Sequence, residues 1–306
     1  MEIATFHVPR ITQPYPTVKL AKDLSSRRPR SAGGALQFPV MTAIEGSHVL
    51  VTGAASGLGR RLALGTAQRK GTLVLWDLNR EGLEKVAGEV EALGSSAQFA
   101  VVDVSKREDV YEAARHLPDP IDVLINNAGV VSGKSLLEIP DEKIERSFAV
   151  NTLALFWTVK AFLPGMIERR RGHLVTIASA AGLIGVPKLT DYGASKWAAV
   201  GFDESLRMEL RRLSPAIRTT VVCPYYFRTG LFEGAKSRFP WLLPLLEEET
   251  VSERILRAIE RDKKKLVMPA MVGTIPWVRL LPLSWFDAIA EFLGISASMD
   301  DFTGRQ

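Results

Sequence analysis

The chain reads HVLVTGAASGLGRRLAL over residues 48–64: a short apolar run, a turn of glycines and small residues, then a helix-forming segment. Gly53 allows a tight turn directly after the strand. Gly57 lets backbone amides approach a pyrophosphate, and Gly59 permits close packing of the helix on the strand. The N-terminus of that helix then faces the phosphates. The spacing is one residue longer than the common dinucleotide fingerprint, and a glycine turn alone also serves as a simple strand-to-helix joint. The strand-turn-helix context points to nucleotide binding.

The same rhythm continues outward. TLVLWD (72–77), AQFAVVDV (97–104), IDVLINNAG (121–129), HLVTIAS (173–179), IRTTVVCP (217–224) and KLVMP (265–269) read as buried strands, with helical patterns near 57–70, 80–93, 141–168 and 190–213. Short apolar runs alternating with helices predict a Rossmann-type, doubly wound, seven-stranded parallel sheet flanked by helices. Residues 46–270 form this single domain. Residues 1–45, mixed in Pro, Ser, Arg and Gly, read as an N-terminal extension, and 271–306 as an apolar C-terminal tail.

Composition bounds the function. Of 306 residues, 46% are hydrophobic and 24% charged, as in an ordinary globular protein. Lys and Arg number 39 against 34 acids, but the excess sits in short runs such as Arg169–Arg171 and Lys263–Lys265, which read as solvated helix ends. No aromatic-basic surface for nucleic acid is implied. One cysteine, Cys223, excludes an internal disulfide, and four dispersed histidines give no metal-ligand spacing. Glu2, His7 and Pro9 interrupt what a secretory signal needs as an apolar run. A cytoplasmic protein is expected.

The second strand ends in Asp77, where a carboxylate accepts hydrogen bonds from adenosine ribose hydroxyls and repels a 2′-phosphate. That favours NAD, with NADP less favoured; Arg60, Arg61 and Arg80 are the counter-argument, since a guanidinium can receive that phosphate. Asp103 ends the third strand on the adenine side, and Asn126-Asn127-Ala128-Gly129 closes the fourth, bracing the turn or lining the cleft. Tyr192 and Lys196, four residues apart on a helix, share one face, and an ammonium beside a phenol lowers the phenol pKa toward the range useful for proton transfer. Ser179 ends the fifth strand at the same sheet edge. Asn151 is a poor interior helix former inside an apolar run, which implies a specific partner.

TGAASGLG, NNAG, Asn151, Ser179 and Tyr192-x-x-x-Lys196, in this order, resemble the short-chain dehydrogenase/reductase family over residues 46–270. The resemblance implies that Tyr192 is the general acid/base, Lys196 binds the nicotinamide ribose and tunes Tyr192, Ser179 positions the reacting oxygen, and Asn151 holds a water in a proton relay. It implies cofactor contacts along Gly53, Ser56, Gly57, Leu58, Gly59, Asp77, Asp103, Val104, Asn127, Ala128, Gly129, Tyr192, Lys196, Pro224 and Thr229, and no metal. A homodimer or homotetramer built on the long helices before and after the fifth strand is also implied. Where the family usually has Gly after the sixth-strand proline, this chain has Tyr225. With TGLFEG and the later Met-Pro, Tyr225 is similar to the retinol and 17β-hydroxysteroid dehydrogenase branch.

Residues 229–249, with Phe232, Phe239, Trp241 and several leucines, read as a substrate loop or as core. The tail from 271 to 293 carries Trp277, Leu280, Trp285 and Phe292, suited to a substrate entrance, a peripheral membrane contact or a subunit contact. The expected activity is NAD-dependent hydride transfer on a lipophilic alcohol, ketone or aldehyde of the retinoid, steroid or fatty-alcohol type. The alternatives are a catalytically silent NAD-binding protein and a membrane-surface scaffold.

Overall fold

A computed structural model describes residues 41–226, 232, 234 and 236–304. Seven strands, β1 His48–Thr52, β2 Thr72–Asp77, β3 Ala97–Val101, β4 Val123–Asn126, β5 Gly172–Ile177, β6 Ile217–Pro224 and β7 Lys265–Met268, form one parallel sheet in the order β3-β2-β1-β4-β5-β6-β7. The expected sheet is therefore present. Strand order reverses between β1 and β4, so a crevice opens at their carboxyl ends, the place where open α/β sheets bind ligands.

The strands are apolar throughout because they feed two cores. Val49, Val51, Leu73 and Leu75 face one layer, formed by α1 (Gly57–Gln68), α2 (Arg80–Ala92) and α7 (Glu248–Glu260). The intervening Leu50, Val74 and Trp76 face the other, formed by α3 (Arg107–Arg115), α5 (Ala154–Arg169) and α6 (Thr190–Leu213). Trp76 is fully buried, with its ring centroid 5.6 Å from that of Phe162. Each such large side chain contributes about 2–3 kcal/mol by leaving water. Asn79 caps α2 by accepting from the Gly82 amide at 3.1 Å, a bond whose loss in Asn79→Ala costs about 1 kcal/mol.

α3 and α7 were not expected. Arg107–Arg115 is short and mostly polar, so its apolar face reduces to Val110 and Ala113. Glu248–Glu260 hides its periodicity behind paired acids, yet Val251, Ile255 and Ile259 are fully buried. Ahead of β1, Ile44 is buried in the first core and the Thr42 hydroxyl donates to Asp262 at 2.6 Å.

The helix expected over 141–168 is continuous but not uniform. It begins as α4 (Asp141–Phe148), widens into one π-helical segment over Ala149–Leu153, and resumes as α5. By length and composition Asp141–Arg169 is long and apolar enough to cross a membrane, with a mean hydropathy of 1.3, but 44% of that window is buried inside the fold. It is a wall of the sheet layer.

Candidate active site

The glycine turn is built on close approaches. Gly53 has φ +67° and Gly57 φ +53°, both in the left-handed region that favours glycine. A Cβ on Gly59 would collide with the Gly53 carbonyl oxygen and lie 2.7 Å from Asn127 Nδ2. No acid stands in the first turn of α1, so its positive end is left for an anion.

Three side chains hold this turn in place. Asp77 accepts from the Ala55 amide on one oxygen and from the Asn79 amide on the other, both at 3.0 Å. Asn127 Nδ2 donates to the carbonyls of Thr52 and Gly53, while Thr52 Oγ1 accepts from the amides of Asn127 and Ala128. Asp103 accepts from the amide and hydroxyl of Ser105. Asp77, Asn127 and Asp103 also line the same cavity, so bracing and lining are combined.

That cavity, about 250 Å³, runs along the carboxyl edge of the sheet from Gly53, Ser56, Gly57, Leu58 and Gly59 past Asp77, Asp103 and Val104 to Asn127, Ala128 and Gly129. It continues to Ser179, Tyr192, Lys196 and Pro224. The expected positions thus share one cleft, with two exceptions. Asn151 lies behind Gly129, and Thr229 falls outside the described residues.

Tyr192, 4% exposed, projects from the first turns of α6, where its hydroxyl meets Ser179. Ser179 itself caps the following turn, accepting from the Ala181 amide at 3.1 Å. Lys196, one helical turn on, places Nζ 5.6 Å from the Tyr192 ring centroid and donates to the Ile177 carbonyl at 2.9 Å. Burial pushes the Tyr192 phenol well above its ordinary value, and the Ser179 hydrogen bond only partly offsets this. Burial also pulls Lys196 down to about 8. The expected lowering of Tyr192 by its ammonium neighbour is thus overridden by desolvation, which penalises both charged forms.

Asn151 sits at the centre of the π segment, where one extra residue per turn turns its side chain onto two neighbours. Its Nδ2 donates to the Val130 carbonyl and to Ser195 Oγ, both at 2.9 Å, and its Oδ1 accepts from the Val130 amide at 2.9 Å. Ser195 Oγ donates onward to the Tyr192 carbonyl at 2.7 Å. Both amide hydrogens are committed, so any relay through Asn151 uses its oxygens.

The substrate end is apolar. Ile184, Val186, Tyr225, Tyr226, Phe232 and Ile295 line it, and the Phe232 ring lies edge-on to Tyr192 at 5.6 Å. Of the expected substrate loop, Phe232 and Leu243 are buried while Trp241 is 80% exposed. Ile184, Val186 and Ile295 were not foreseen. They are ordinary aliphatic residues far apart in sequence, with no local signal of function. Arg146, which also lines the cavity, looked like any solvated helix residue.

The family model for short chain dehydrogenase matches residues 47–238. The chain belongs to the short-chain dehydrogenase family. Human epidermal retinol dehydrogenase 2 is 45% identical over 269 residues, covering 86% of this chain and 87% of that protein. Human estradiol 17-beta-dehydrogenase 11 is 42% identical over 244 residues, covering 78% and 80%. Among solved structures, a short-chain dehydrogenase/reductase from Burkholderia phymatum in complex with NAD matches with TM-score 0.71 and 26% identity, covering 78% of this chain and 95% of that one. An alcohol dehydrogenase from Thermococcus sibiricus complexed with 5-hydroxy-NADP matches with TM-score 0.65 and 26% identity, covering 73% and 96%. This short-chain dehydrogenase is an NAD(P)-dependent oxidoreductase of CH–OH groups, similar to the retinol and 17β-hydroxysteroid dehydrogenase branch.

Proposed function

We propose that the chain is an NAD-dependent dehydrogenase of a lipophilic alcohol, of the retinoid, steroid or fatty-alcohol type, or of its carbonyl counterpart. One observation carries this: a buried Tyr192 faces Ser179 where the cleft opens into its apolar end. The dinucleotide fits the residues present, because the acid-free start of α1, with Gly57 and Gly59, opens onto the cleft that Asp77 also lines. When bound, it supplies the acceptor or donor of hydride.

The chain's own residues then hold the reacting oxygen and move its proton. Ser179 and Tyr192 converge on that oxygen, Ser179 orienting it and Tyr192 exchanging its proton. Lys196 has donors beyond the one it gives Ile177, available to the nicotinamide ribose. Asp77 supports NAD over NADP, since its carboxylate stands in the cleft beside the glycine turn. The intact set of Asn151, Ser179, Tyr192 and Lys196 weighs against a silent nucleotide binder.

The reading includes assembly and location. Exposed Leu153 and Phe156 on the helix before β5, and Met208 and Leu213 on the helix after it, support a homodimer or homotetramer through those helices. In the tail, exposed Trp277, Leu280, Leu283, Trp285 and Phe292 on and around α8 (Ile275–Val278) and α9 (Leu283–Phe292) support peripheral contact of a cytoplasmic enzyme with a lipid surface.

The test is oxidation of retinoids, steroids and fatty alcohols with NAD, followed by the absorbance of the reduced nicotinamide. Turnover with higher kcat/KM for these than for short polar alcohols is expected. A preference for short polar alcohols, or no turnover with any, contradicts the reading. Flotation with liposomes, lost on truncation after Pro269, tests the lipid contact.

A further inference from the structure

After α9 the chain folds back across the loops that follow β4, β5 and β6. Phe302 packs into the space left by Gly133, whose Cβ would overlap the ring and whose φ of +66° favours glycine. Lys188 reaches Asp300 at 2.8 Å, and Lys236 reaches Asp301 at 2.7 Å. The Lys236 amide donates to the Ser298 carbonyl at 2.9 Å, and the Tyr226 hydroxyl meets Ser298 Oγ at 3.2 Å. Met299, 1% exposed, is buried with Tyr192, Tyr226 and Phe232. One short segment therefore ties together all three loops around the catalytic tyrosine.

The two ion pairs join exposed side chains and are screened by solvent, so they register the segment more than they hold it. Apolar burial holds it, through Met299 at one end and Ile295 at the other. Ile295 is the single residue of this segment that lines the cavity. It packs behind the wall against Ile184 and Phe286, so its volume is fixed in place and its outward side meets whatever fills the apolar end.

We propose that the Ile295–Phe302 segment holds Ile295 in the outer wall of the substrate pocket and that Ile295 sets the length of apolar substrate the site accepts. This deepens the alcohol-oxidising reading above and rests on it. In sequence this residue lies just beyond the aromatic stretch 271–293, the stretch suited to a substrate entrance.

The experiment compares parent, Ile295→Ala, Ile295→Val and Ile295→Trp on unbranched primary alcohols of increasing length with NAD, taking kcat/KM against chain length. Ile295→Ala removes three carbons from the wall, and each methylene newly buried in that space is worth about fourfold in affinity. The optimum is expected to move up by two to three carbons in Ile295→Ala, up by one in Ile295→Val, and down in Ile295→Trp. A residue that merely supports the fold would lower efficiency at every length without moving the optimum. A second arm needs no turnover: the same alcohols displace an anilinonaphthalene dye from each variant, and displacement should follow the same shifts. If folded variants with parental NAD affinity show the parental length dependence in both arms, the proposal is overturned. If no alcohol is oxidised but the dye arm shifts as expected, the alcohol reading fails and the wall assignment stands.

Discussion

Gly182 lies directly on the backbone of Lys196: a Cβ at Gly182 would stand 2.6 Å from the Lys196 carbonyl oxygen and 3.1 Å from Val200 Cγ2. The clash is with helix backbone, so no rotamer relieves it. The turn that carries Ser179 and the helix that carries Tyr192 and Lys196 are spaced by this contact.

Gly182→Ala should therefore displace Ser179 from Tyr192 and reduce kcat at saturating substrate by on the order of tenfold to a hundredfold, the usual cost of misplacing catalytic groups by about 1 Å. Gly185→Ala is the control, because nothing lies within 4 Å of a Cβ there, and its kcat should match the parent. Equal kcat in all three proteins contradicts the spacing role.

Asp77 accepts from the turn amides of Ala55 and Asn79, and in the proposed reading it also selects the cofactor. The parent should favour NAD over NADP by at least about tenfold in kcat/KM, equivalent to about 1.4 kcal/mol. Asp77→Ala should lose efficiency with both cofactors, because the glycine turn loosens, but more with NAD. A tenfold parental preference for NADP contradicts the assignment.

Asn151→Leu leaves the half-buried Val130 amide and carbonyl without their partner and takes a donor from the buried Ser195 hydroxyl. Each unsatisfied group costs about 1–3 kcal/mol, so equilibrium unfolding should show a loss of that order, accompanied by a fall in kcat. Asn151→Asp can still accept from the Val130 amide but sets a buried carboxylate oxygen against its carbonyl, so a loss at least as large is expected. Parental stability in Asn151→Leu contradicts the bracing geometry.

What the sequence made legible was local. The turn from Thr52 to Gly59, the strand-end Asp77 and Asp103, and the four-residue step from Tyr192 to Lys196 each carry their geometry within a few residues. Asn151 stood out because a polar side chain in an apolar helix needs a partner, although the identity of that partner, the Val130 backbone 21 residues away, has no local signature. The apolar pocket wall escaped notice for the same reason: Ile184 and Ile295 are ordinary in their own neighbourhoods and meet through the fold-back of the chain. The direction of the Tyr192 shift is not legible in the sequence, because spacing shows the ammonium neighbour and does not show how completely both groups are buried.

The central claim is that Tyr192 moves the proton that accompanies hydride transfer. Tyr192→Phe keeps the ring and its contact with Phe232 and removes only the hydroxyl. The direct measurement is kcat for NAD-linked oxidation of the best apolar alcohol, with the NAD dissociation constant and melting temperature recorded on the same preparations. The account predicts a loss of about a hundred- to ten-thousandfold in kcat, with NAD affinity and melting temperature close to parental. Full activity in a folded Tyr192→Phe protein would contradict it.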